Sequence, residues 1–172
     1  MILGVEIKRL QTNPDPRGFF RELIRVTDPF FSEGFAQWSH SRMQRNVVKA
    51  WHFHHRQVDW WYVAIGDVEV ALFDLREESP THRQKMVFNL GEQQPGVVRI
   101  PPGVAHGLKV LTPEAHLFYI TSQTYDPADE GRHPFDTDLI PHSWGDPSTL
   151  IVSDQDRRLH LPPYPSPAVQ PV

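Results

Sequence analysis

The stretch that decides the fold is residues 49–66, Lys-Ala-Trp-His-Phe-His-His-Arg-Gln-Val-Asp-Trp-Trp-Tyr-Val-Ala-Ile-Gly. Three histidines and a carboxylate stand directly before a run of aromatic and aliphatic residues. Side chains alternate along a strand, so a strand over 47–54 places His52 and His54 on the same face. The stretch therefore predicts two successive strands, the first with an imidazole-lined face.

Strand-forming runs separated by turn residues make up most of the chain. The 172 residues include 17 prolines and 10 glycines, and short β-branched and aromatic segments lie between them. This spacing predicts an all-β sandwich or barrel with few helices, the one short helix falling within residues 28–36. We predict a hairpin turn at 66–67, and an irregular segment over 126–149.

The length suits one domain with a substantial core. We predict a single domain over residues 1–160, followed by a proline-rich tail over 161–172. Proline prevents regular strand pairing, so the tail is expected to be extended or disordered.

Composition excludes several classes of function. The sequence has no run of about 18 apolar residues, as a membrane helix would need, and no basic-then-apolar signal pattern at its start. The absence of cysteine removes disulfides, thiolate catalysis and Cys-ligated zinc. A net charge of −4 argues against a general nucleic-acid binder, although local Arg and Lys residues can still hold phosphates. We therefore expect a cytoplasmic protein that binds neither nucleic acid nor membranes.

Two short patterns resemble the motifs of cupin barrels. His-x-His at 52–54 is followed by Asp59 and Gly66, and Pro-x-Gly-x-x-His ends at His106. The resemblance implies a cupin jelly-roll barrel. One divalent transition metal could be held by N and O ligands, and the candidates are His52, His54, Asp59 and His106. The alternative is a polar pocket without a metal.

A longer pattern, covering roughly residues 4–156, resembles the nucleotide-sugar 3,5-epimerases typified by dTDP-4-dehydrorhamnose 3,5-epimerase. The resemblance rests on six motifs in order: Asp15-Pro-Arg-Gly-Phe-Phe-Arg-Glu22, Lys49-Ala-Trp-His52, Asp74-Leu-Arg-x-x-Ser-Pro-Thr81, Ile100-Pro-x-Gly-x-Ala-His-Gly107, Phe118-Tyr119 with Tyr125-x-Pro127, and Val152-Ser-Asp-Gln-Asp156.

The resemblance implies proton abstraction beside a ketone, because the carbanion delocalises onto the C4 oxygen of a dTDP-4-keto-6-deoxy sugar. It makes His52 the base, for which an ordinary imidazole pKa of about 6.5 is suited. Asp156 is its orienting partner, and Tyr119 is the acid on the opposite side. No cofactor is needed in this scheme. The positions expected to bind substrate are Arg17, Glu22, Gln37, Ser39, Lys49, His54, Arg56, His106 and Glu130. The resemblance also implies a homodimer in which the N-terminal strand lends Arg17 to the neighbouring site.

One position departs from the family pattern. The family has a lysine near the C4 oxygen, and Asp59 stands there in this sequence. A carboxylate would repel the enolate by about 1–4 kcal/mol at ordinary contact distances. The positive charge would have to come from His54, His55 or Arg56, or from a metal acting as a Lewis acid.

Three hypotheses follow. The first is a metal-free epimerase or isomerase that uses His52 and Tyr119. The second is a metal-dependent cupin isomerase or dioxygenase acting on a small carbohydrate or keto acid. The third is a non-catalytic sugar-binding cupin. The first two exclude each other at His52, because one imidazole lone pair cannot serve both a metal and a proton.

Overall fold

Strands organise residues 1–158, the part of the chain that the computed structural model describes. In chain order they are Glu6–Arg9 (β1), Asn13–Asp15 (β2), Gly18–Phe20 (β3), Gln37–Gln44 (β4), Val47–His54 (β5), Asp59–Ile65 (β6), Asp67–Asp74 (β7), Lys85–Gly91 (β8), Gly96–Ile100 (β9), Val104–Val110 (β10), Glu114–Thr121 (β11), Glu130–Arg132 (β12) and Ile151–Val152 (β13). The helices are single turns, two of 3-10 type at Pro29–Phe31 and Pro147–Thr149 and one α-helical turn at Asp154–Arg157 (α1). None of these helices has the length and apolar character to cross a membrane.

Two sheets form the body of the domain. The first has the strand order β1-β9-β6-β11-β4, and the second has the order β12-β5-β10-β7-β8, with β13 pairing in parallel with β5. A core that includes Val63, Leu72, Leu90, Val98 and Leu108 is formed by side chains from both sheets. The prediction of an all-β sandwich with few short helices is confirmed. The 161–172 tail lies outside the described residues, and the domain limits stay a prediction.

The predicted hairpin at 66–67 is wrong. The strands on either side of it do not pair, because β6 belongs to the first sheet and β7 to the second. Gly66 has a φ of 73°, and a Cβ there would lie 2.1 Å from the carbonyl oxygen of Glu114. The turn therefore carries the chain from one sheet to the other in a space that only glycine fits.

A bulge in β5 sets which side chains reach the space between the sheets. His52 pairs with His106 of β10, but Lys49 pairs with Leu108, so β5 contains one residue more than its partner. Such an extra residue reverses the alternation of side chains beyond it. As a result both Lys49 and His52 face the interior, although strict alternation would put them on opposite faces. Gly107 lies opposite the bulge.

The segment 126–149, predicted to be irregular, contributes β12. This strand pairs with β5, placing Glu130 opposite His54 and Arg132 opposite His52. Shortly after β13, Ser153 caps α1 by accepting a hydrogen bond from the backbone N–H of Asp156, 3.1 Å away. These two elements bring charged groups from the C-terminal part of the chain to β5. The helix predicted within 28–36 is present as the 3-10 turn.

Candidate active site

A cavity of about 240 Å³ opens between the two sheets. Most of its lining comes from strands of both sheets, so each wall belongs to a different layer. Eight of the residues predicted from the sequence to act or bind at the site lie on its lining: Gln37, Lys49, His52, His54, Asp59, His106, Tyr119 and Glu130.

His52 and Asp156 form the pair that the resemblance implied. His52 Nε2 lies 2.9 Å from Asp156 Oδ1. Burial raises the pKa of the Asp156 carboxyl, but the hydrogen bond and charge of His52 and the charge of Arg132 outweigh burial, so this pKa lies below its ordinary value. An ionised carboxylate only accepts hydrogen bonds, so Nε2 carries the proton and Nδ1 keeps the lone pair of a neutral ring. The geometry thus presents Nδ1 as the basic atom.

Arg132 joins this pair and was not predicted from the sequence. Its Nη1 donates to Asp156 Oδ1 over 3.1 Å, and its Nη2 donates to Glu130 Oε1 over 2.9 Å. Glu130 Oε1 lies 3.6 Å from His52 Nδ1. The signal that could have found Arg132 is its i, i+2 spacing from Glu130, which puts both side chains on one strand face. The segment 130–132 lacks the β-branched and aromatic residues that predict a strand.

Tyr119 lies on β11 of the sheet opposite His52. Its side chain lines the cavity together with Leu117 and Thr121, which share its strand face. A base on one sheet and a phenol on the facing sheet can contact opposite faces of a flat ligand held between them.

A buried polar cluster forms another part of the cavity wall. The Gln57 amide donates to Asp59 Oδ1 over 2.7 Å and lies 3.1 Å from His54 Nε2. The Trp61 indole N–H donates to Asp59 Oδ2 over 3.1 Å. Burial raises the pKa of the Asp59 carboxyl, and it lowers the pKa of His106 well below its usual value. Both effects favour the uncharged forms in this cluster.

The four candidate metal ligands are not brought together. Within the described residues, candidate ligand atoms of His54, Asp59 and His106 lie within 4.8 Å of one another, and such N and O donors could hold a divalent cation. His52 is not in this set, and its Nε2 is bonded to Asp156. The N–H groups of Gln57 and Trp61 already donate one hydrogen bond to each oxygen of Asp59.

Lys49 supplies a cation beside His52. Its Nζ donates to Ser41 Oγ over 2.7 Å. Burial lowers the pKa of the ammonium group, partly offset by the negative charge of Asp156. The bulge in β5 is what places this lysine in the cavity.

Four predicted substrate-binding residues do not line the cavity of a single chain. The Arg17 side chain is 89% exposed and pairs with Asp15, and Glu22 pairs with Arg25. Ser39 is not part of the lining, and its Oγ accepts a hydrogen bond from the Gln37 side chain.

Arg56 is the fourth of these residues. Its guanidinium bonds to Asp129 over 3.0 Å and to Asp126 over 2.8 Å, outside the cavity. Its neighbour His55 is exposed and is not part of the cavity lining. Of the three side chains suggested as a replacement for the family lysine, only His54 faces the cavity.

Comparison with known proteins agrees with this geometry. The family model for dTDP-4-dehydrorhamnose 3,5-epimerase matches residues 1–162. The spore coat polysaccharide biosynthesis protein SpsL of Bacillus subtilis (strain 168) is 43% identical over 148 residues, covering 84% of this chain and 97% of SpsL.

Two solved structures share the fold. NovW, a 4-keto-6-deoxy sugar epimerase from the novobiocin gene cluster of Streptomyces spheroides, superposes with a TM-score of 0.83 at 29% identity, covering 90% of this chain and 81% of NovW. RmlC from Legionella pneumophila Philadelphia 1, in complex with dTDP-4-keto-L-rhamnose, gives a TM-score of 0.80 at 26% identity, covering 88% and 84%. The fold, the ordered motifs and the match over nearly the whole sequence agree, and the chain belongs to the dTDP-4-dehydrorhamnose 3,5-epimerase family.

Proposed function

We propose that the protein epimerises a dTDP-4-keto-6-deoxy sugar, with His52 as base and Tyr119 as acid. The observation that carries the proposal is the hydrogen-bonded pair of His52 and Asp156 on one wall of the cavity, with Tyr119 on the facing sheet. Membership of the family makes the protein an isomerase of the epimerase type. The similarity to SpsL favours a role in polysaccharide biosynthesis.

The proton transfer begins at His52 Nδ1. This atom removes a proton from the carbon next to the C4 ketone, and the electron pair left behind delocalises onto the ketone oxygen as an enolate. The phenol of Tyr119 then gives its proton to the same carbon from the other face, which inverts the centre. Asp156 stabilises the imidazolium that forms in between. Side chains supply both the acid and the base, so the reaction needs no cofactor.

The enolate oxygen needs positive charge or hydrogen-bond donors nearby. Lys49 and His54 are the groups that we assign to this role, because both line the cavity. Asp59 opposes the enolate less than its formal charge suggests. Its two oxygens accept hydrogen bonds from Gln57 and Trp61, and burial raises its pKa toward the uncharged form.

The other two hypotheses fare less well. A metal-dependent isomerase or dioxygenase would have to hold its ion with His54, Asp59 and His106, and the side chains of Gln57 and Trp61 already donate hydrogen bonds to Asp59. A non-catalytic sugar-binding protein has no need of a histidine–carboxylate pair facing a phenol, and the family to which the chain belongs is one of epimerases.

We further propose a homodimer in which the β2–β3 hairpin completes the neighbouring site. The hairpin pairs with neither main sheet, and Phe19 and Phe20 on it are 57% and 66% exposed. An apolar surface containing Trp38, Tyr62 and other side chains of the first sheet is available to a second copy. Arg17 at the hairpin tip would then reach the partner's cavity and bind the diphosphate.

Mixing two inactive variants tests this arrangement. Arg17→Ala and His52→Ala homodimers should each be inactive, whereas a mixed dimer has one site with both residues intact. Recovery of activity after subunit exchange is expected, and a light-scattering mass of one chain, or no recovery after confirmed exchange, would contradict the exchange of hairpins. The cytoplasmic location stays a prediction from the sequence.

Solvent exchange tests the reaction itself. In D2O, deuterium should enter C3 or C5 of a dTDP-4-keto-6-deoxyhexose in the presence of the protein, and His52→Ala should abolish this. His55→Ala, an exposed neighbour, is the matched control and should exchange normally. Failure to exchange with any such sugar would refute the proposed function.

A further inference from the structure

The segment 122–129 joins β11 to β12 and contributes Tyr125 to the cavity lining. It lies against residues 55–58, which connect β5 to β6. The backbone N–H of Ser122 donates to the Val58 carbonyl over 3.0 Å, and the Val58 N–H donates to Ser122 Oγ over 2.9 Å. At the other end, the His55 N–H donates to the carbonyl of residue 129 over 3.1 Å. The two segments are therefore joined at both ends.

Asp129 anchors one segment to the other through its side chain, which is only 4% exposed. One carboxylate oxygen accepts a hydrogen bond from Arg56 Nε over 3.0 Å, and the other accepts one from the backbone N–H of Gln57 over 3.1 Å. A buried carboxylate is costly unless its charge is paired and its oxygens are hydrogen-bonded. This anchor therefore depends on a cation at position 56.

Arg56 reaches the anchor from the solvent side, and its own side chain is 67% exposed. Its Nη2 also donates to Asp126 Oδ2 over 2.8 Å, so one planar guanidinium bridges two carboxylates of the segment 122–129. The pair with Asp126 is exposed, and such pairs contribute little to global stability. The bridge is better suited to fixing the position of this segment than to holding the fold together.

The anchored segment leads directly to the surroundings of His52. Glu130 follows Asp129, and its Oε1 lies 3.6 Å from His52 Nδ1. Two residues further on, Arg132 donates to Asp156 Oδ1, the oxygen that faces His52 Nε2. These residues belong to β12, a strand of three residues at the edge of its sheet. A short edge strand has few contacts of its own, so its position depends on the anchor that precedes it.

We propose that Arg56 is a positioning residue, which acts through Asp129 to hold β12 beside His52. The proposal rests on the function assigned to His52 above. It replaces the expectation that Arg56 binds substrate, because Nε and Nη2 are committed to carboxylates within the chain. A displacement of about 1 Å at a reacting group can lower the rate by as much as 10²-fold, so the effect should appear in kcat.

Steady-state kinetics of Arg56→Ala, Asp129→Asn and the double variant test the proposal with a dTDP-4-keto-6-deoxyhexose. We expect kcat to fall by about 10- to 100-fold in each single variant, with the affinity for dTDP unchanged. Because Arg56 acts through Asp129, the double variant should lose no more than Asp129→Asn alone. Losses that multiply, or weaker dTDP binding by Arg56→Ala, would overturn the proposal and make Arg56 a substrate ligand.

Two further variants separate positioning from a purely structural role. Arg56→Lys keeps the charge and one donor, and it should recover part of kcat. Arg42→Ala removes an ion pair with Glu114 in which the arginine is similarly exposed, at 68%, and it should leave kcat unchanged. A lower thermal midpoint of Arg56→Ala together with a wild-type kcat of the folded protein would refute the proposal. If Asp129→Asn does not fold, kcat and dTDP affinity of Arg56→Ala and Arg56→Lys decide in the same way.

Amide hydrogen exchange distinguishes failure of this inference from failure of the proposed function. In Arg56→Ala, the amides of His55 and Gln57 should exchange faster, because both donate to Asp129, whereas those of β7 and β8 should not change. If the proposed function fails, neither wild type nor any variant brings deuterium into the sugar, but this local change remains. Epimerisation by Arg56→Ala at the wild-type rate would refute this inference alone.

Discussion

Asp156 accepts a hydrogen bond from His52 at 2.9 Å although 104 residues separate them in the chain. The capped turn α1 and the pairing of β13 with β5 bring the carboxylate to the strand. Asp156→Asn preserves the shape of the side chain and removes its charge, so the imidazolium intermediate loses its counter-ion. We expect kcat to fall by at least roughly tenfold, with little change in KM. Steady-state kinetics beside Asp154→Asn, an exposed position on the same turn, measures the effect.

Tyr119→Phe should uncouple exchange from inversion. His52 can still remove a proton and return a solvent deuteron to the same face, whereas the acid on the other face is missing. Epimer formation should fall by about 10²- to 10⁴-fold while NMR still detects deuterium entering the substrate. Loss of both signals, or of neither, would show that Tyr119 is not the acid.

The stability of the protein should depend on His106 in weakly acidic solution. Burial lowers the pKa of this ring well below the value of an unfolded chain, so the unfolded state binds a proton that the folded state rejects. Stability is then retained above about pH 6.5 and lost as the pH falls below it. His106→Gln should reduce the slope of unfolding free energy against pH by about 1.4 kcal/mol per unit below that point.

Urea unfolding at a series of pH values measures this slope. His55→Gln, an exposed histidine three positions beyond His52, should leave it unchanged. A slope that is the same with and without His106 would show that the ring is protonated in the fold.

Asp74 is expected to be a large single contributor to stability. It is fully buried, and its carboxylate accepts hydrogen bonds from Arg76, Ser79 and Thr81 at 2.6–2.8 Å. Burial raises the pKa of Asp74, but these bonds outweigh burial and bring it far below its ordinary value. Asp74→Ala leaves the Arg76 charge without its partner and should cost about 3–5 kcal/mol. Chemical denaturation measures the loss, and Glu78→Ala in the same exposed loop should fall within about 0.5 kcal/mol of wild type.

Gly107→Ala tests the bulge. A Cβ at 107 would lie 2.5 Å from the Ala50 Cβ and 2.9 Å from the Trp144 ring. Overpacking of this kind costs about 1–3 kcal/mol, and the shift in β5 should also reduce activity. Ala50→Gly in the same chain removes one of the two clashes and should recover part of the lost stability. Thermal unfolding that is unaffected by Gly107→Ala would mean that the strands separate easily at this point.

Local sequence patterns were enough to predict the fold class and the strand face on which the histidines lie. The alternation of 47–54 placed His52 and His54 on one face, and the spacing of turn residues gave the all-β class. The positions of Arg132 and Lys49 needed more information than alternation alone contains. The first lies on a three-residue strand stabilised by pairing rather than by its own composition, and the second reaches the cavity only through the bulge. The hairpin predicted at 66–67 is wrong because the same turn residues can connect two paired strands or two strands of different sheets.

The one-residue surplus in β5 makes its two ends independent of each other. Lys49 lies in the regularly paired part of β5 before the bulge, and His52 and His54 lie after it. A change of orientation at one end therefore need not propagate to the other. A library that randomises residues 47 and 48 should therefore alter the orientation of Lys49 while His52 and His54 keep theirs. A single deletion inside the bulge would have the opposite effect, turning one of these groups away from the substrate in one step.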